Sequence, residues 1–388
     1  MSEHVAGFTS TGSKRPETLF GSLGPGLPSR MVRSAGCNVW DADGREYLDY
    51  VMGLGSVALG YGHPEVTQAA IRAVRDGVVG PLAPALEVEV AAEICSRIPW
   101  IEQLRFLKTG AEAMAAAVRL ARVATRRDCI LGCGYHGWLD WCQGAEGVPR
   151  ATRSLYDELP FNDPEEARKL IRALGDKLAA VVFEPEIVRE PDAAWLQVLR
   201  DETARVGALL VVDEIKTIGR LAVGGACQRY GIRPDLVVMG KAIANGFPLA
   251  AVGGRREVMA GVAHTWISST LATEFVSLAA AKATLGVIVS RAVPDYLRRV
   301  GTQLFSGLAG LRHKYPAIVA GVGGLPEMCF LQYSDESASV AVTAACARAG
   351  LLFKRSAYNF VSLAHNDPVI ARSLGILDDA LSAVAKSA

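Results

Sequence analysis

Short runs of consecutive apolar residues, each four or five residues long, recur through the middle of the chain. They stand at 179–183, 208–212 and 236–239, and polar, glycine or proline residues flank each run. Because such runs without polar alternation are typical of strands buried on both faces, they predict a parallel β-sheet. Residues 193–206 have the length and amphipathic pattern of a helix and connect the first two runs. This order predicts βαβ units and an α/β fold whose sheet is covered by helices.

Helical periodicity covers much of the remaining chain. Helices are predicted over 65–76, 86–97, 112–124, 273–290, 295–313, 336–349 and 367–385. Two short apolar segments, 329–332 and 351–353, have strand character and alternate with the last helices, which is the order of a small α/β domain. We therefore expect a large domain over 63–290 and a small C-terminal α/β domain over 291–388.

The N-terminal part of the chain has a different pattern. Residues 1–35 are rich in glycine, proline and serine, and this composition predicts an extended arm rather than a core element. Two strand-like segments, 38–41 and 45–51, lie on either side of the turn Asp43–Gly44, which predicts a β-hairpin. We expect the arm and hairpin, residues 1–62, to pack with the small domain.

Charge and composition exclude several classes of protein. The 388 residues include 41 Lys and Arg against 40 Asp and Glu, and this balance excludes a chain that binds nucleic acid through its net charge. Half of the residues are hydrophobic, which excludes an intrinsically disordered chain. No apolar run reaches the roughly 18 residues of a membrane helix, and no apolar signal segment is visible near residue 1. We expect a cytoplasmic protein without a membrane partner.

The cysteines favour neither a disulfide framework nor a metal site. The chain has eight, and none forms a CxxC pair. Cys129, Cys133 and Cys142 cluster in the sequence, but they lack the paired spacing of a zinc site. We expect free thiols in a reducing compartment and no bound metal.

A charged residue follows each of the three apolar runs. Glu184 follows the first run, Asp213 the second and Lys241 the third, after one glycine. Because the carboxyl ends of parallel strands meet at the sheet edge where ligands bind, we expect two carboxylates and a lysine there. Burial in such a crevice lowers the pKa of a lysine and makes its amine a nucleophile toward carbonyl groups. A structural ion pair for Asp213 and a solvated Lys241 are the alternative interpretations.

Two further segments supply small and aromatic residues. Thr109–Gly110–Ala111 runs directly into the helix predicted over 112–124, and the free N–H groups of a helix N-terminus can bind phosphate. Tyr135–His136–Gly137–Trp138 follows a short apolar segment, and its aromatic rings can cover a flat ligand. Small residues also begin many helices that bind nothing, and an aromatic residue after a strand usually belongs to the core. Neither segment identifies a ligand by itself.

Together, these features match the requirements of pyridoxal 5'-phosphate. A carboxylate such as Asp213 keeps the pyridine nitrogen protonated, so that the ring can accept electrons from a substrate carbanion. A lysine such as Lys241 holds the aldehyde as an imine and, once displaced, moves a proton between substrate and cofactor. A phosphate seat and an aromatic cover complete the set. The sequence therefore predicts an enzyme that depends on pyridoxal 5'-phosphate.

The same residues resemble the motifs of the class III aminotransferase family. The matching segments are Val212–Ile215, Gly240–Leu249 and Tyr135–Trp138, and the similarity extends over 39–365. Within the family, the chain is most similar to glutamate-1-semialdehyde aminomutase and its aminotransferase relatives. The resemblance implies the transferase fold of type I, with a mostly parallel sheet in the large domain. It also implies an obligate homodimer whose active sites lie at the subunit interface.

The resemblance assigns roles to residues of this chain. It implies that Lys241 forms the imine and that Asp213 contacts the pyridine nitrogen. It implies that Tyr135 stacks on the ring, that Ile215 packs on the opposite face, and that Glu184 lies near the cofactor hydroxyl group. The phosphate ligands that it implies are Thr109, Gly110, Ala111 and, from the other subunit, Thr270.

Several positions differ from the family motifs. The phosphate loop has Thr109–Gly110–Ala111 where the family has Ser-Gly-Thr, so one hydroxyl is moved and one is lost. After Thr270, the segment Ala272–Thr273–Glu274 replaces Gly-Asn-Pro. The aminomutase arginine that binds the substrate carboxylate has no clear counterpart in the shorter N-terminal arm. Arg30 and Arg33 are candidates for that role, with solvation at the surface as the alternative for both.

Two rival functions are compatible with parts of the sequence. Residues 53–58 fit a Gly-x-Gly-x-x-Ala dinucleotide fingerprint, but the glycines and proline within 60–64 prevent the helix that such a fingerprint begins. A non-catalytic member of the fold has no chemical need for both Asp213 and Lys241. We therefore expect an aminotransferase acting on an amino donor and a keto or aldehyde acceptor. Amino migration and racemisation are alternatives, because they share the first deprotonation.

Overall fold

The computed structural model describes residues 4–21 and 24–387, and the chain divides into two compact units. One unit combines Met1–His63 with Asp295–Ala388, and the other consists of Pro64–Pro294. Helices and short strands alternate in both units, which confirms the expected α/β fold.

The secondary structure has the following bounds. The helices are α1 (Pro16–Phe20), α2 (Met52–Gly55), α3 (Pro64–Arg75), α4 (Ala85–Arg97), α5 (Gly110–Thr125), α6 (Arg150–Arg153), α7 (Pro164–Leu174), α8 (Ala193–Val206), α9 (Gly225–Tyr230), α10 (Arg256–Met259), α11 (Phe275–Ser290), α12 (Val293–Lys314), α13 (Glu336–Arg348) and α14 (Asp367–Ser387). The strands are β1 (Met31–Ala35), β2 (Asn38–Asp41), β3 (Glu46–Asp49), β4 (Gln103–Leu107), β5 (Cys129–Cys133), β6 (Tyr156–Glu158), β7 (Leu178–Phe183), β8 (Leu209–Asp213), β9 (Leu236–Met239), β10 (Ala250–Gly254), β11 (Val319–Leu325), β12 (Met328–Tyr333), β13 (Leu351–Leu352) and β14 (Asn359–Phe360).

A seven-stranded sheet forms the centre of the unit Pro64–Pro294. Its strand order is β4-β10-β9-β8-β7-β5-β6. The neighbours from β9 to β6 are parallel, whereas β10 runs antiparallel to both β9 and β4. The carboxyl ends of β4, β5, β7, β8 and β9 therefore lie at the same edge of the sheet. The antiparallel β10 was not predicted, because its small apolar residues carry no directional signal.

Helices cover both faces of this sheet. Every residue of β7 and β9 is buried, which confirms the interpretation of the apolar runs. Alternate residues of β9 join different clusters: Leu236 and Val238 pack with apolar residues of α5, and Val237 and Met239 pack with residues of α4 and α11. The full burial of short apolar strands thus follows from a helical layer on each side.

The other unit contains two smaller sheets. Strands β1, β2, β3 and β13 form one of them, and β11, β12 and β14 form the other. The predicted hairpin is present as the antiparallel pair β2 and β3, and β13 joins β3 in parallel. Residues Met52–Gly55 form one turn in which Gly53 and Leu54 have left-handed dihedral angles. The glycine fingerprint therefore begins no regular helix.

The prediction of an extended arm over 1–35 was wrong in part. This segment contains α1, which ends at Gly21 with φ of 81°, and the strand β1, which pairs with β2. Phe20 is only 2% exposed and packs in a hydrophobic cluster with Val39 and Tyr47. The glycines and prolines that suggested an arm mark turns between short elements, and Phe20 supplies the apolar contact.

No single helix of the described chain is both long and apolar enough to cross a membrane, although the adjoining pair α11 and α12 passes that test on length and composition. All eight cysteines are free thiols. Within 4–21 and 24–387, no group of three or more His, Cys, Asp or Glu side chains is arranged to hold a metal ion.

Candidate active site

Three predicted site residues of the unit Pro64–Pro294 stand at the carboxyl edge of its sheet. Asp213 is the last residue of β8, and Glu184 directly follows β7. Lys241 comes one residue after Gly240, which follows β9. Since β7, β8 and β9 are adjacent parallel strands, these three side chains start from neighbouring strand ends. The sheet topology therefore brings together the two carboxylates and the lysine.

Asp213 is buried and held by two partners. Its Oδ2 lies 2.8 Å from Nδ1 of His136, and its Oδ1 accepts a 3.1 Å hydrogen bond from the N–H of Ile215. An ionised carboxylate only accepts, so Nδ1 of His136 carries the proton in this contact. His136 is also buried, and its Nε2 has no hydrogen-bond partner among the described residues. The pair fixes the direction of the Asp213 carboxylate.

Glu184 is held between two donors. Its Oε2 accepts a 3.0 Å hydrogen bond from the N–H of Tyr135, and its Oε1 lies 3.2 Å from Nζ of Lys216. A Cβ at Gly134 would lie 2.7 Å from Oε2 of Glu184, so this position leaves no room for a side chain. Gly134 also has φ of 111°, which favours glycine. The loop after β5 is therefore shaped to approach Glu184.

Lys216 is a second buried lysine in the same region. It follows Asp213 by three residues, and its Nζ donates a 2.8 Å hydrogen bond to the carbonyl of Glu186. The carboxylate of Glu186 lies 3.6 Å away. A buried ammonium group needs such partners to remain charged. The site thus contains a positive group besides Lys241.

Lys241 begins a short 3₁₀ turn, Lys241–Ala244, in a strained conformation. Its φ of 47° lies in the left-handed region, which is uncommon for a residue with a side chain and recurs at functional sites. Burial lowers the pKa of the Lys241 amine below its ordinary value. Glu184 opposes this shift, and Lys216 adds to it. A lowered pKa leaves more of the amine neutral, the form that attacks a carbonyl carbon.

The N-terminus of α5 lies close to the other loops. A Cβ at Gly110 would lie 2.6 Å from Cδ1 of Ile215, so Ile215 packs directly on the first residue of α5. A Cβ at Gly137 would lie 2.7 Å from Cβ of Ala111. These two glycines therefore allow the segments after β8 and β5 to approach the start of α5. A side chain at Gly110 or at Gly137 would push the adjacent segment away from α5.

A capping box organises the first turn of α5. Oγ1 of Thr109 accepts from the N–H of Glu112, and the Glu112 carboxylate accepts from the N–H of Thr109. The helix itself provides no acceptor for the N–H groups of Gly110 and Ala111, because they belong to its first turn. These groups, with the positive end of the helix dipole, are suited to an anion.

Two predicted residues present exposed side chains. Tyr135 is 69% exposed, although its backbone N–H is bonded to Glu184. Thr270 is also exposed. It lies four residues before Glu274, which caps the N-terminus of α11. Their roles against a ring and against the other subunit's phosphate stay predictions.

The two candidate substrate arginines belong to the unit that contains Met1–His63. Nη2 of Arg30 donates a 2.9 Å hydrogen bond to the carbonyl of Phe8, and its guanidinium lies 3.6 Å from the centre of the Phe8 ring. The guanidinium of Arg33 lies 4.5 Å from the centre of the Trp40 ring. Both arginines are exposed. Their proposed contact with a substrate stays a prediction.

Some contacts of the site were missed by the sequence analysis. His136 lies in the segment Tyr135–Trp138, whose aromatic rings predict stacking on a ligand. That pattern does not indicate the contact of His136 with the buried Asp213. Lys216 gave no signal, because a single lysine after an Asp-Glu pair is usually solvated. The 2.6 Å ion pair between Lys108 and Glu274 joins segments that are distant in sequence. No local pattern reveals such a pair.

Comparisons with known proteins identify the family of this chain. The sequence profile described as aminotransferase class-III matches residues 25–381. The chain belongs to the class III aminotransferase family. A glutamate-1-semialdehyde 2,1-aminomutase from Thermomicrobium roseum is 34% identical, over 98% of this chain and 96% of that protein. An aminomutase of the same name from Anaeromyxobacter sp. is also 34% identical, over 97% and 95%.

Solved structures of known proteins have the same fold. The pyridoxal 5'-phosphate internal aldimine form of the FumI protein from Sphingopyxis sp. MTA144 superposes with a TM-score of 0.91 and 26% identity, over 97% of this chain and 92% of that one. An omega-transaminase from Sphaerobacter thermophilus gives a TM-score of 0.85 and 26% identity, over 93% and 94%. The transferase fold of type I is therefore confirmed for this chain.

The aminotransferase uses pyridoxal 5'-phosphate, as predicted. The residues present fit this group. A buried carboxylate, Asp213, is fixed in direction by His136. A lysine with a lowered pKa, Lys241, begins at a neighbouring strand end. The start of α5 offers N–H groups where Gly110 and Gly137 keep the adjacent loops close. The sheet edge thus offers a carboxylate for the pyridine nitrogen, an amine for the aldehyde and backbone N–H groups for the phosphate.

Proposed function

We propose that this aminotransferase moves an amino group between a small-molecule amino donor and a carbonyl acceptor, with Lys241 and Asp213 as its catalytic residues. The observation that supports this assignment is the convergence of Lys241, Asp213 and Glu184 at the ends of three adjacent parallel strands. Two carboxylates and an amine of lowered pKa on one sheet edge are typical of an active site, and a structural role does not require them.

The chain's own residues have separate tasks in this proposal. Bound pyridoxal 5'-phosphate supplies an electron sink for the carbanion of the substrate. Asp213, directed by His136, holds a proton at the ring nitrogen. Nζ of Lys241 would hold the cofactor and, once free, would carry a proton from the substrate carbon to the cofactor.

The remaining cofactor contacts are assigned by position. Ile215 packs on Gly110 and forms one wall, and Tyr135 is the candidate for the opposite wall. Glu184, oriented by Lys216 and the N–H of Tyr135, is assigned to the hydroxyl side of the ring. The phosphate group is assigned to Thr109, Gly110 and Ala111 with the first turn of α5. Thr270 is assigned to the phosphate of the other subunit, and Arg30 and Arg33 to a substrate carboxylate.

We infer that the functional form is a homodimer. Large apolar side chains of the unit Pro64–Pro294 are exposed in the single chain: Leu82 by 83%, Trp266 by 82%, Trp138 by 74% and Val88 by 70%. Exposed side chains of this size are typical of protein interfaces.

The cytoplasm is the compartment that we propose, because eight free thiols suit a reducing environment. We also propose that the large and small domains of the family correspond to the two compact units.

A half-reaction with single amino donors tests the proposed function. The purified protein loaded with pyridoxal 5'-phosphate is mixed with a panel of amino acids, amines and amino sugars, without an acceptor. We expect at least one donor to shift the visible absorbance of the cofactor and release a carbonyl product in stoichiometric amount. If no donor shifts the spectrum while the cofactor is bound, the assignment as an aminotransferase is contradicted.

An aminomutase is the second candidate function, and the name of the 34% identical relatives favours it. A mutase moves the amino group within one substrate, whereas a transaminase needs a separate acceptor. Incubation with glutamate-1-semialdehyde alone distinguishes the two reactions. Isomerisation without any second carbonyl compound supports the mutase, and release of a deaminated product supports the transaminase.

A further inference from the structure

A buried ion pair lies beside the proposed phosphate seat. Nζ of Lys108, the residue before Thr109, lies 2.6 Å from Oε1 of Glu274, and the two side chains are only 14% and 10% exposed. Exposed ion pairs contribute little to stability, because water and salt screen them. A shielded pair differs, because the loss of one partner leaves the other charge buried and uncompensated.

Each partner of this pair is also bonded to the backbone of another element. Nζ of Lys108 donates a second hydrogen bond, of 3.0 Å, to the carbonyl of Pro248, which lies between the Lys241 turn and β10. The Glu274 carboxylate accepts from the N–H groups of Val276 and Ser277 and caps α11. One ion pair therefore joins the start of α5, the segment before β10 and the start of α11.

The carboxylate of this pair is ionised at neutral pH. Burial by itself raises the pKa of Glu274, but the hydrogen bonds from Lys108 and Ser277 outweigh it and lower the pKa below its ordinary value. The contact is thus a charged pair and not a neutral hydrogen bond. Its strength depends on both charges being present.

The turn beside this pair has few side-chain hydroxyl groups. Of Thr109, Gly110 and Ala111, only Thr109 carries one, and its Oγ1 accepts from the N–H of Glu112. A turn with fewer hydroxyl ligands relies more on its backbone N–H groups. Such groups bind an anion well only when their directions are fixed before binding.

We propose that the Lys108–Glu274 ion pair positions the turn Thr109–Ala111 for the phosphate group of the cofactor. This inference rests on the proposed function, which assigns the phosphate to that turn. The N–H groups of Lys108 and Thr109 both donate to the carboxylate of Glu112, so the backbone of Lys108 is part of the capping box. Its side chain anchors the same backbone to α11. Both residues of the pair are positioning residues, since they act through the turn.

Binding of pyridoxal 5'-phosphate and of pyridoxal, which lacks the phosphate, tests this inference. Dissociation constants of both are measured on the full-length apoprotein by quenching of tryptophan fluorescence, and their ratio reports the phosphate contribution. For Lys108→Met, we expect the ratio to fall roughly tenfold, which corresponds to a coupling of about 1.4 kcal/mol. We expect the affinity for pyridoxal to stay within about twofold of the wild-type value.

Three further variants complete the experiment. Lys108→Arg keeps the charge and is expected to keep most of the ratio. Glu274→Gln keeps an oxygen for the cap of α11 but loses the charge, and we expect the same fall in the ratio. It replaces Lys108→Met as the test if Lys108→Met fails to fold. Lys282→Met is the matched control on α11, because Lys282 lies 2.6 Å from Glu89 but both side chains are about half exposed. It is expected to leave the ratio unchanged.

Each result decides the question. A wild-type ratio in both Lys108→Met and Glu274→Gln overturns the inference. An equal loss of affinity for the two compounds also overturns it, because it marks a purely structural pair. Equal binding of the two compounds by the wild-type protein contradicts the phosphate seat of the proposed function, and the inference with it.

Discussion

Asp213 and His136 form a buried contact in the candidate site. The 2.8 Å distance between Nδ1 of His136 and Oδ2 of Asp213 fixes the carboxylate on the sheet edge. Burial of a carboxylate is costly unless partners compensate it. In the proposed function, the protonated ring nitrogen of the cofactor would be such a partner.

Replacement of the carboxylate tests this role of Asp213. In Asp213→Asn, the side chain keeps its size but can no longer hold a proton at the ring nitrogen by its charge. We expect the rate constant of the half-reaction to fall by roughly 10²–10³, the usual effect of removing one preorganised electrostatic group. The measurement is the rate of the half-reaction with a donor found in the panel. Wild-type turnover in this variant would remove Asp213 from the proposed role.

The charge of Lys216 provides a test of the Lys241 amine. Lys241 is influenced by Glu184, Lys216, Asp213 and Arg220, and Lys216 disfavours its protonated form. In Lys216→Met, a like charge is lost and Glu184 is left without that partner, so both changes raise the pKa of Lys241. At a given pH below that pKa, less of the amine is then neutral and reactive.

We therefore expect the pH profile of pyridoxal attachment to Lys241 to move to higher pH in Lys216→Met. The rate is followed by the visible absorbance of the apoprotein after addition of pyridoxal. Lys216→Arg keeps a positive charge and serves as the matched control, for which we expect a smaller shift. A profile that does not move in Lys216→Met would show that Lys216 has no electrostatic effect on Lys241.

At the scale of elements, loops after parallel strands form the site because glycines let them approach α5. The loop after β5 reaches Ala111 through Gly137, and the segment after β8 reaches Gly110 through Ile215. At Gly137, φ is 105°, and a Cβ would lie 3.1 Å from the Cα of Ala111, a backbone atom that cannot move aside easily. The contact between this loop and α5 is thus set by backbone geometry.

Gly137→Ala tests this close approach. Gly147→Ala is its matched control, because Gly147 has φ of 93° but nothing within 4 Å of its added Cβ. For the control, we expect a loss of about 1–2 kcal/mol in the free energy of unfolding from backbone strain alone. For Gly137→Ala, we expect a further loss of about 1–3 kcal/mol from overpacking against Ala111. Chemical denaturation measures both, and equal losses would contradict a steric role of Gly137.

The elements themselves were largely predictable, because their signals are local. The apolar runs at β7, β8 and β9 and the amphipathic α8 identified the parallel core, and the turn Asp43–Gly44 identified a hairpin. The antiparallel β10 and the strand β11 were missed, since their glycine-rich sequences lack the usual β-branched pattern. The short α1 was missed because turn-forming residues surround Phe20.

The sequence predicted the site residues whose positions follow from the topology of the parallel sheet. Glu184, Asp213 and Lys241 follow from the rule that strand ends share one edge. The contacts of Lys216 with Glu184, and of Lys108 with Glu274, join side chains whose pairing depends on loop paths. No local period or spacing encodes those paths, so the sequence offered no signal for them.

At the scale of the whole molecule, the single chain exposes large apolar side chains that the proposed homodimer would cover. Leu82 lies in the loop between α3 and α4 with Val78 and Val79, and all three are exposed. Tyr135 and Thr270, two predicted cofactor contacts, are exposed as well. A homodimer accounts for both facts, because it would bury the loop and bring Thr270 to the other subunit's site.

Leu82→Asp tests the homodimer. A carboxylate at a buried interface position is desolvated without a partner, so we expect the dissociation constant of the dimer to rise at least about tenfold. Ala194→Asp adds the same group to the exposed start of α8 and is the matched control. Sedimentation velocity over a concentration series measures both variants. A monomeric wild-type protein, or a variant that dimerises as the wild type does, would contradict the proposed assembly.

We propose that Lys241, and no other lysine of the site, holds the cofactor. Reduction of the loaded protein with borohydride makes the bond between cofactor and lysine permanent, and peptide mass spectrometry then locates it. We predict the added mass on the peptide that contains Lys241 and its absence from that peptide in Lys241→Ala. Modification of Lys216 or Lys108 in the wild-type protein, with Lys241 unmodified, would contradict the account.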